Sequence, residues 1–219
     1  MAEPVSPQPA GTGADGADSP VIILVSGPSG VGKDSVIARV RKRATFAVPV
    51  TMTTRPPRPG EVEGRDYYFV SREQFLAHLE ADELLEHAEV YGNLYGVPRS
   101  EWPRVLATGQ DVIVRVDVQG CRTLRPLLPG AITVFMVPAP REASVDEQLR
   151  ALEAFLRHRN ERDEVIAQRL AAAPAELAAI AEFDHVVLNV FGGLDAAATD
   201  VLSIVEAERA RRGRGTSAS

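Results

Sequence analysis

The chain has 219 residues, 45% of them hydrophobic, enough for one compact α/β unit with a substantial core and small inserts. Its 30 acidic against 24 basic side chains leave a net charge of −6, which argues against a nucleic-acid partner, whose usual footprint is a basic face. No apolar run approaches the ~18 residues that span a bilayer, and the first residues lack the basic and apolar regions of a signal peptide. Cys121 is the single cysteine, so no internal disulfide can form; a structural thiol in a reducing cytoplasm is the expectation.

In chain order, residues 1–19 are rich in Pro, Gly, Ala and Asp and hold little to bury, which predicts a disordered leader. Residues 21–25 are all apolar, as in a strand buried on both faces, and 35–43 follow as a basic amphipathic helix. Residues 51–100 are polar and rich in turns and aromatics, and read as an inserted subdomain. Two further apolar runs, 111–116 and 131–137, are each followed by helical character. A charged stretch at 141–163 reads as a helical lid, 184–188 as another strand and 193–208 as a long last helix, with 209–219 a frayed tail. Strand–helix alternation predicts a parallel sheet flanked by helices, built from 20–50, 101–140 and 164–208.

The first strand runs through Ser26 into Gly27-Pro28-Ser29-Gly30-Val31-Gly32-Lys33, and a helix begins at once. This is the G-x-x-x-x-G-K pattern between a strand and a helix, the context that makes it a phosphate loop. Glycines let successive N–H groups curl inward at phosphate oxygens, the helix N-terminus adds roughly half a positive charge, and Lys33 adds a full one. ATP is therefore the expected donor. The residue after the lysine is normally a hydroxyl that binds Mg²⁺; here it is Asp34, with Ser35 next. Asp34 is either a carboxylate ligand of that metal or only an acid favoured in a first helical turn. Asp34 and Ser35 are the metal candidates.

The stretch from Thr51 through Thr53-Thr54-Arg55-Pro56-Pro57-Arg58-Pro59-Gly60-Glu61 to Tyr67 resembles the acceptor loop of guanylate kinases. So do Glu86-His87-Ala88-Glu89-Val90-Tyr91-Gly92-Asn93-Leu94-Tyr95-Gly96 and Val116-Asp117-Val118-Gln119-Gly120, and the resemblance runs from about residue 21 to 207. It implies a P-loop kinase making ADP and GDP from ATP and GMP or dGMP with Mg²⁺, as a monomer or homodimer. It further implies that Arg55 and Arg58 grip the acceptor phosphate, with hydroxyls from Tyr67 and Tyr95. Glu86 would accept from guanine N1–H and the 2-amino group, Thr51 would donate to O6, and Asp117 would meet the base. From the lid and the helix after it, Arg157, Arg159 and Arg169 would close on the transferring phosphoryl group, and Asn189 would lie near the donor adenine.

The chain also departs from the family's pattern. Arg115 stands where an aspartate is usual at the end of the second core strand, Val97 replaces a hydroxyl residue, and the run after Asn189 is Val190-Phe191-Gly192. The lost carboxylate and Asp34 would face the same phosphates, so Asp34 is expected to assume the metal-holding role, with Arg115 pairing to it or touching a phosphate. The loop also resembles that of ribose 1,5-bisphosphate kinases, which leaves such an enzyme, or a kinase for a modified guanine nucleotide, as alternatives. A non-catalytic binding module fits less well, because Gly32 and Lys33 are kept.

Overall fold

A computed structural model describes residues 19–215. Nearly all of the expected leader, and residues 216–219 of the expected tail, lie outside that range. Five parallel strands form the core sheet: β1 (Ile22–Ser26), β2 (Phe46–Ala47), β7 (Asp111–Arg115), β8 (Ile132–Val137) and β9 (His185–Leu188), ordered β2-β7-β1-β8-β9. Between β2 and β7 the chain builds a second sheet of β3 (Met52–Thr53), β4 (Tyr68–Phe69), β5 (Leu84–Val90) and β6 (Asn93–Pro98), ordered β4-β3-β6-β5.

The side chains of β1 alternate between two layers. Ile23 and Val25 pack on one side with Val36, Ile37 and Val40 of α1 (Lys33–Arg41) and Val201 and Val205 of α7 (Leu194–Gly215). The same layer takes Leu152 and Leu156 of α5 (Val145–His158) and Ile166 and Ala173 of α6 (Asp163–Leu177). Leu24 faces the other layer, with Trp102 and Val105 of α3 (Glu101–Leu106) and Cys121 and Leu124 of α4 (Val118–Leu127). Cys121 is buried, and burial pushes its thiol up to about 11, the behaviour of an inert packing residue.

The insert has its own small core. Phe75 of α2 (Arg72–Glu80) is fully buried against Met52, Leu84 and Leu94. Ser71 and Gln74 close a capping box that fixes where α2 starts. Helix α5 starts the same way, on Ser144 and Glu147.

The tail is where the structure departs from the expectation. Residues 209–215 are not frayed but continue α7, whose last turns are held to the core. Arg209 donates to the buried carboxylate of Asp111 (2.8 Å), and Arg212 to Pro20 O (3.3 Å) and Gly130 O (2.8 Å). Arg209 and Arg212, in the stretch expected to fray, instead satisfy acceptors distant in sequence. No helix among the described residues is long and apolar enough to cross a membrane.

Candidate active site

A cavity of about 440 Å³ opens over the carboxyl ends of β1 and β7, between the core, the insert and α6. That is where ligands bind in open parallel sheets. Lys33, Asp34, Arg115 and Asp117 come from the core, Thr51, Arg55, Arg58, Tyr67, Glu86 and Tyr95 from the insert, and Arg159 and Arg169 from the lid side.

At one end of the cavity the loop of residues 27–33 takes a shape that its glycines allow. Gly30 and Gly32 sit at φ of +100° and +93°, where side chains are strained, and a Cβ on Gly32 would lie 2.6 Å from Asn189 Nδ2. Asn189 is buried and donates to Val31 O (2.7 Å), so it clamps the loop from beneath. Lys33 Nζ folds back on Gly27 O (2.5 Å) and Pro28 O (3.2 Å), and burial lowers its pKa. Gly32 supplies no side-chain cap, which leaves the first N–H groups of α1 free to meet an anion.

Asp34 faces the cavity beside Lys33 and accepts from Arg115 Nη1. The other side of Arg115 lies over the Tyr67 ring, 4.4 Å from its centroid. The Asp34 side chain is half exposed; packing around it works to raise its carboxyl, but Arg115 beside it holds it below the usual range. Among the described residues no three His, Cys, Asp or Glu side chains gather into a metal-binding group. Asp34, the carboxylate next to Lys33 of the phosphate loop, fits a divalent ion carried mainly by phosphates and waters. Ser35 points elsewhere: it is exposed on α1 and does not line the cavity.

At the other end, β5 presents Glu86, Ala88 and Val90 to the cavity while His87 and Glu89 face outward. Glu86 is only 6% exposed, and burial, with the nearby Asp117 carboxylate, raises its pKa to about 8. Asp117 caps α4 by accepting from Gly120 N (2.7 Å). Thr51 is buried just before β3, and the Tyr67 and Tyr95 rings meet edge to face at 6.2 Å.

The arginines of this end carry internal counter-ions. Arg55 forks onto both oxygens of Glu61 (2.8 and 2.9 Å) and lies over Tyr67. Arg58 and Arg169 share Glu161, at 3.7 and 3.2 Å, so a carboxylate between α5 and α6 ties the insert to α6. Arg169 Nε is buried without a partner. Arg159 lines the cavity, whereas Arg157 is exposed, paired with Glu153 and Asp163, and is not brought to it.

Among the lining residues that escaped the sequence reading are Glu161, Glu176 and Tyr91. Glu176 accepts from Ser29 N (3.3 Å) and lies near Lys33, and burial raises its pKa. It follows Arg169 by seven residues on α6, two turns along one face, so helical spacing was a signal for it. Tyr91 sits at the β5–β6 turn with φ +51° and a buried hydroxyl that makes no hydrogen bond of normal geometry.

Residues 19–208 match the family model described as Guanylate kinase. Guanylate kinase from Escherichia coli strain K12 is 41% identical over 196 residues, covering 88% of this chain and 90% of that one. Guanylate kinase 2, chloroplastic/mitochondrial, of rice is 41% identical over 211 residues, 95% of this chain and 68% of that one. The crystal structure of guanylate kinase from Anaplasma phagocytophilum superposes with a TM-score of 0.67 at 29% identity, covering 88% of this chain and 87% of that one.

Proposed function

The chain belongs to the guanylate kinase family and is an ATP-dependent nucleoside-monophosphate kinase of guanylate kinase type, and we propose how its residues divide the work. The loop of residues 27–33 holds the ATP phosphates. Thr51, Arg55, Arg58, Tyr67, Glu86, Tyr95 and Asp117 hold GMP, with the base at the Glu86 corner. The observation that carries this reading is one cavity with a phosphate loop at one end and two carboxylates, Glu86 and Asp117, at the other.

Guanine offers N1–H and the 2-amino group side by side, a pair of donors that Glu86 as a carboxylate accepts; adenine and the pyrimidines lack it. An acceptor-phosphate oxygen attacks the γ-phosphorus of ATP, and the bond to the β–γ bridging oxygen breaks. The nucleophile is already ionised, so no proton need be taken from it. The protein's contribution is alignment and charge neutralisation. Lys33 meets the donor phosphates, Arg55 and Arg58 the acceptor phosphate, and Arg159 and Arg169 the group in flight. Arg55, Arg58 and Arg169 must first exchange Glu61 and Glu161 for phosphate oxygens.

Mg²⁺ bound with ATP would supply further neutralisation of the β- and γ-phosphates, and Asp34 is the residue placed to hold it. The single cysteine, which allows no internal disulfide, supports a cytoplasmic setting, and the acidic balance supports small-molecule nucleotides rather than nucleic acid as partners. A sugar bisphosphate has no use for the Glu86–Asp117 corner, which favours the nucleotide. Purified protein with ATP and Mg²⁺ offered GMP, dGMP, AMP, UMP and ribose 1,5-bisphosphate in parallel tests the reading. GMP and dGMP should be turned over fastest; preference for the sugar bisphosphate would overturn it.

A further inference from the structure

Arg115 touches both halves of the cavity: it pairs with Asp34 on the donor-side helix, and it lies 4.4 Å over the Tyr67 ring of the acceptor insert. Its side chain is about four-fifths buried, whereas that of Asp34 remains half exposed. We propose that Arg115 is a positioning residue that couples the two substrates. In the empty site it neutralises Asp34. When Asp34 exchanges it for a divalent cation arriving with ATP, Arg115 is released beside Tyr67 and turns its charge to the acceptor phosphate.

The charges in the cavity support such an exchange. The Asp34 carboxylate lies beside Lys33, and a triphosphate brought against that carboxylate would be repelled unless a cation stood between them. Arg115 cannot be that cation for both substrates at once, because one face is occupied by Tyr67 and its Nη1 by Asp34. Losing Asp34 leaves a mostly buried guanidinium with an aromatic face but no hydrogen-bonded carboxylate, Asp66 acting on it only through space, a costly state until another anion replaces Asp34. The candidates within reach are phosphate oxygens, and the Arg55 guanidinium near the same Tyr67 ring marks where the acceptor's phosphate is held. Binding of the metal-loaded donor and of the acceptor then strengthen each other, and linkage makes that effect reciprocal.

This inference rests on the reading that Asp34 takes the metal, so two titrations separate them. Calorimetry of ADP binding with and without Mg²⁺ tests Asp34: Asp34→Asn should lose most of the affinity that the metal adds in the unaltered protein. If it loses none, the metal reading fails and the coupling fails with it. Calorimetry of GMP binding in saturating ADP, with Mg²⁺ or with EDTA, tests Arg115. The unaltered protein should bind GMP at least about fivefold more tightly with the metal, and Arg115→Met should show less than about twofold. Circular dichroism checks that the variant folds, and Arg115→Gln gives the same reading if Arg115→Met does not. A full metal-dependent gain in a folded Arg115 variant, with the Asp34→Asn result as expected, would overturn the coupling alone.

Discussion

Glu86 and Asp117 turn their carboxylates into one corner of the cavity, where a Cβ added at Gly120 would lie 2.7 Å from Glu86 Oε2 and 3.2 Å from Asp117 Oδ1. Burial first, and Asp117 second, raise Glu86 to about 8, so near neutrality in the empty site it is largely protonated. A protonated carboxyl accepts poorly from two guanine donors. Binding therefore favours the ionised form and expels a proton.

The pH dependence follows with its sign. GMP affinity should strengthen as pH rises toward about 8 and level off above it. Calorimetry in buffers of different ionisation enthalpy should detect proton release at pH 7. Asp117→Asn removes the neighbouring charge and should move the midpoint to lower pH. For the nucleotide-free protein the sign is opposite: a folded pKa above the carboxylate's ordinary value means stability that falls as pH rises through this range. Flat GMP affinity between pH 6 and 9 would count against an ionising Glu86.

Gly120→Ala should act on the acceptor alone. The backbone there is helical, and alanine is favoured over glycine in a helix by about 1 kcal/mol, so the fold should be kept. The added methyl displaces the Glu86 carboxylate, and KM for GMP should rise about tenfold or more, with KM for ATP little changed. Steady-state kinetics with each substrate varied in turn checks this.

Glu161 holds Arg58 and Arg169 in the empty site at positions that phosphate oxygens must later take. Glu161→Gln should lower the stability of the nucleotide-free protein by about 1 kcal/mol while tightening the binding of inorganic phosphate or sulfate severalfold. Thermal shift with and without the anion reads both effects. Unchanged anion affinity would argue against competition at these arginines.

Much of this site was legible because its chemistry is local in sequence. The phosphate loop is a run of seven residues whose glycines and lysine state their purpose, and Glu86 was marked by the family resemblance of its run, not by a strand pattern, which a buried charge interrupts. The pairing of Asp34 with Arg115 was approachable because both sit at ends of core elements. The counter-ions were not legible: whether Glu161 meets Arg58, or Glu176 meets Ser29, depends on how α6 lies against the insert and the loop. Arg209 was misread for the same reason, since its partner Asp111 is 98 positions away.

That long-range pair gives a stability prediction. Asp111 is 5% exposed and accepts from Val21 N (2.8 Å) as well as from Arg209. Arg209 is half exposed, which discounts its contribution. Arg209→Ala should cost about 1 kcal/mol, and Asp111→Ala about 2–4 kcal/mol, because it also strands a buried N–H. Denaturant unfolding followed by fluorescence of Trp102 would measure both.

The role of Glu86 in choosing guanine is tested most directly by kcat/KM for GMP and for AMP in the unaltered protein and in Glu86→Gln. A site built to accept two donors loses its discrimination when one acceptor becomes an amide N–H. The ratio of GMP to AMP should fall by at least about a hundredfold, mainly through loss of GMP turnover. A folded Glu86→Gln variant that keeps the original ratio would contradict the assignment of the base to this corner.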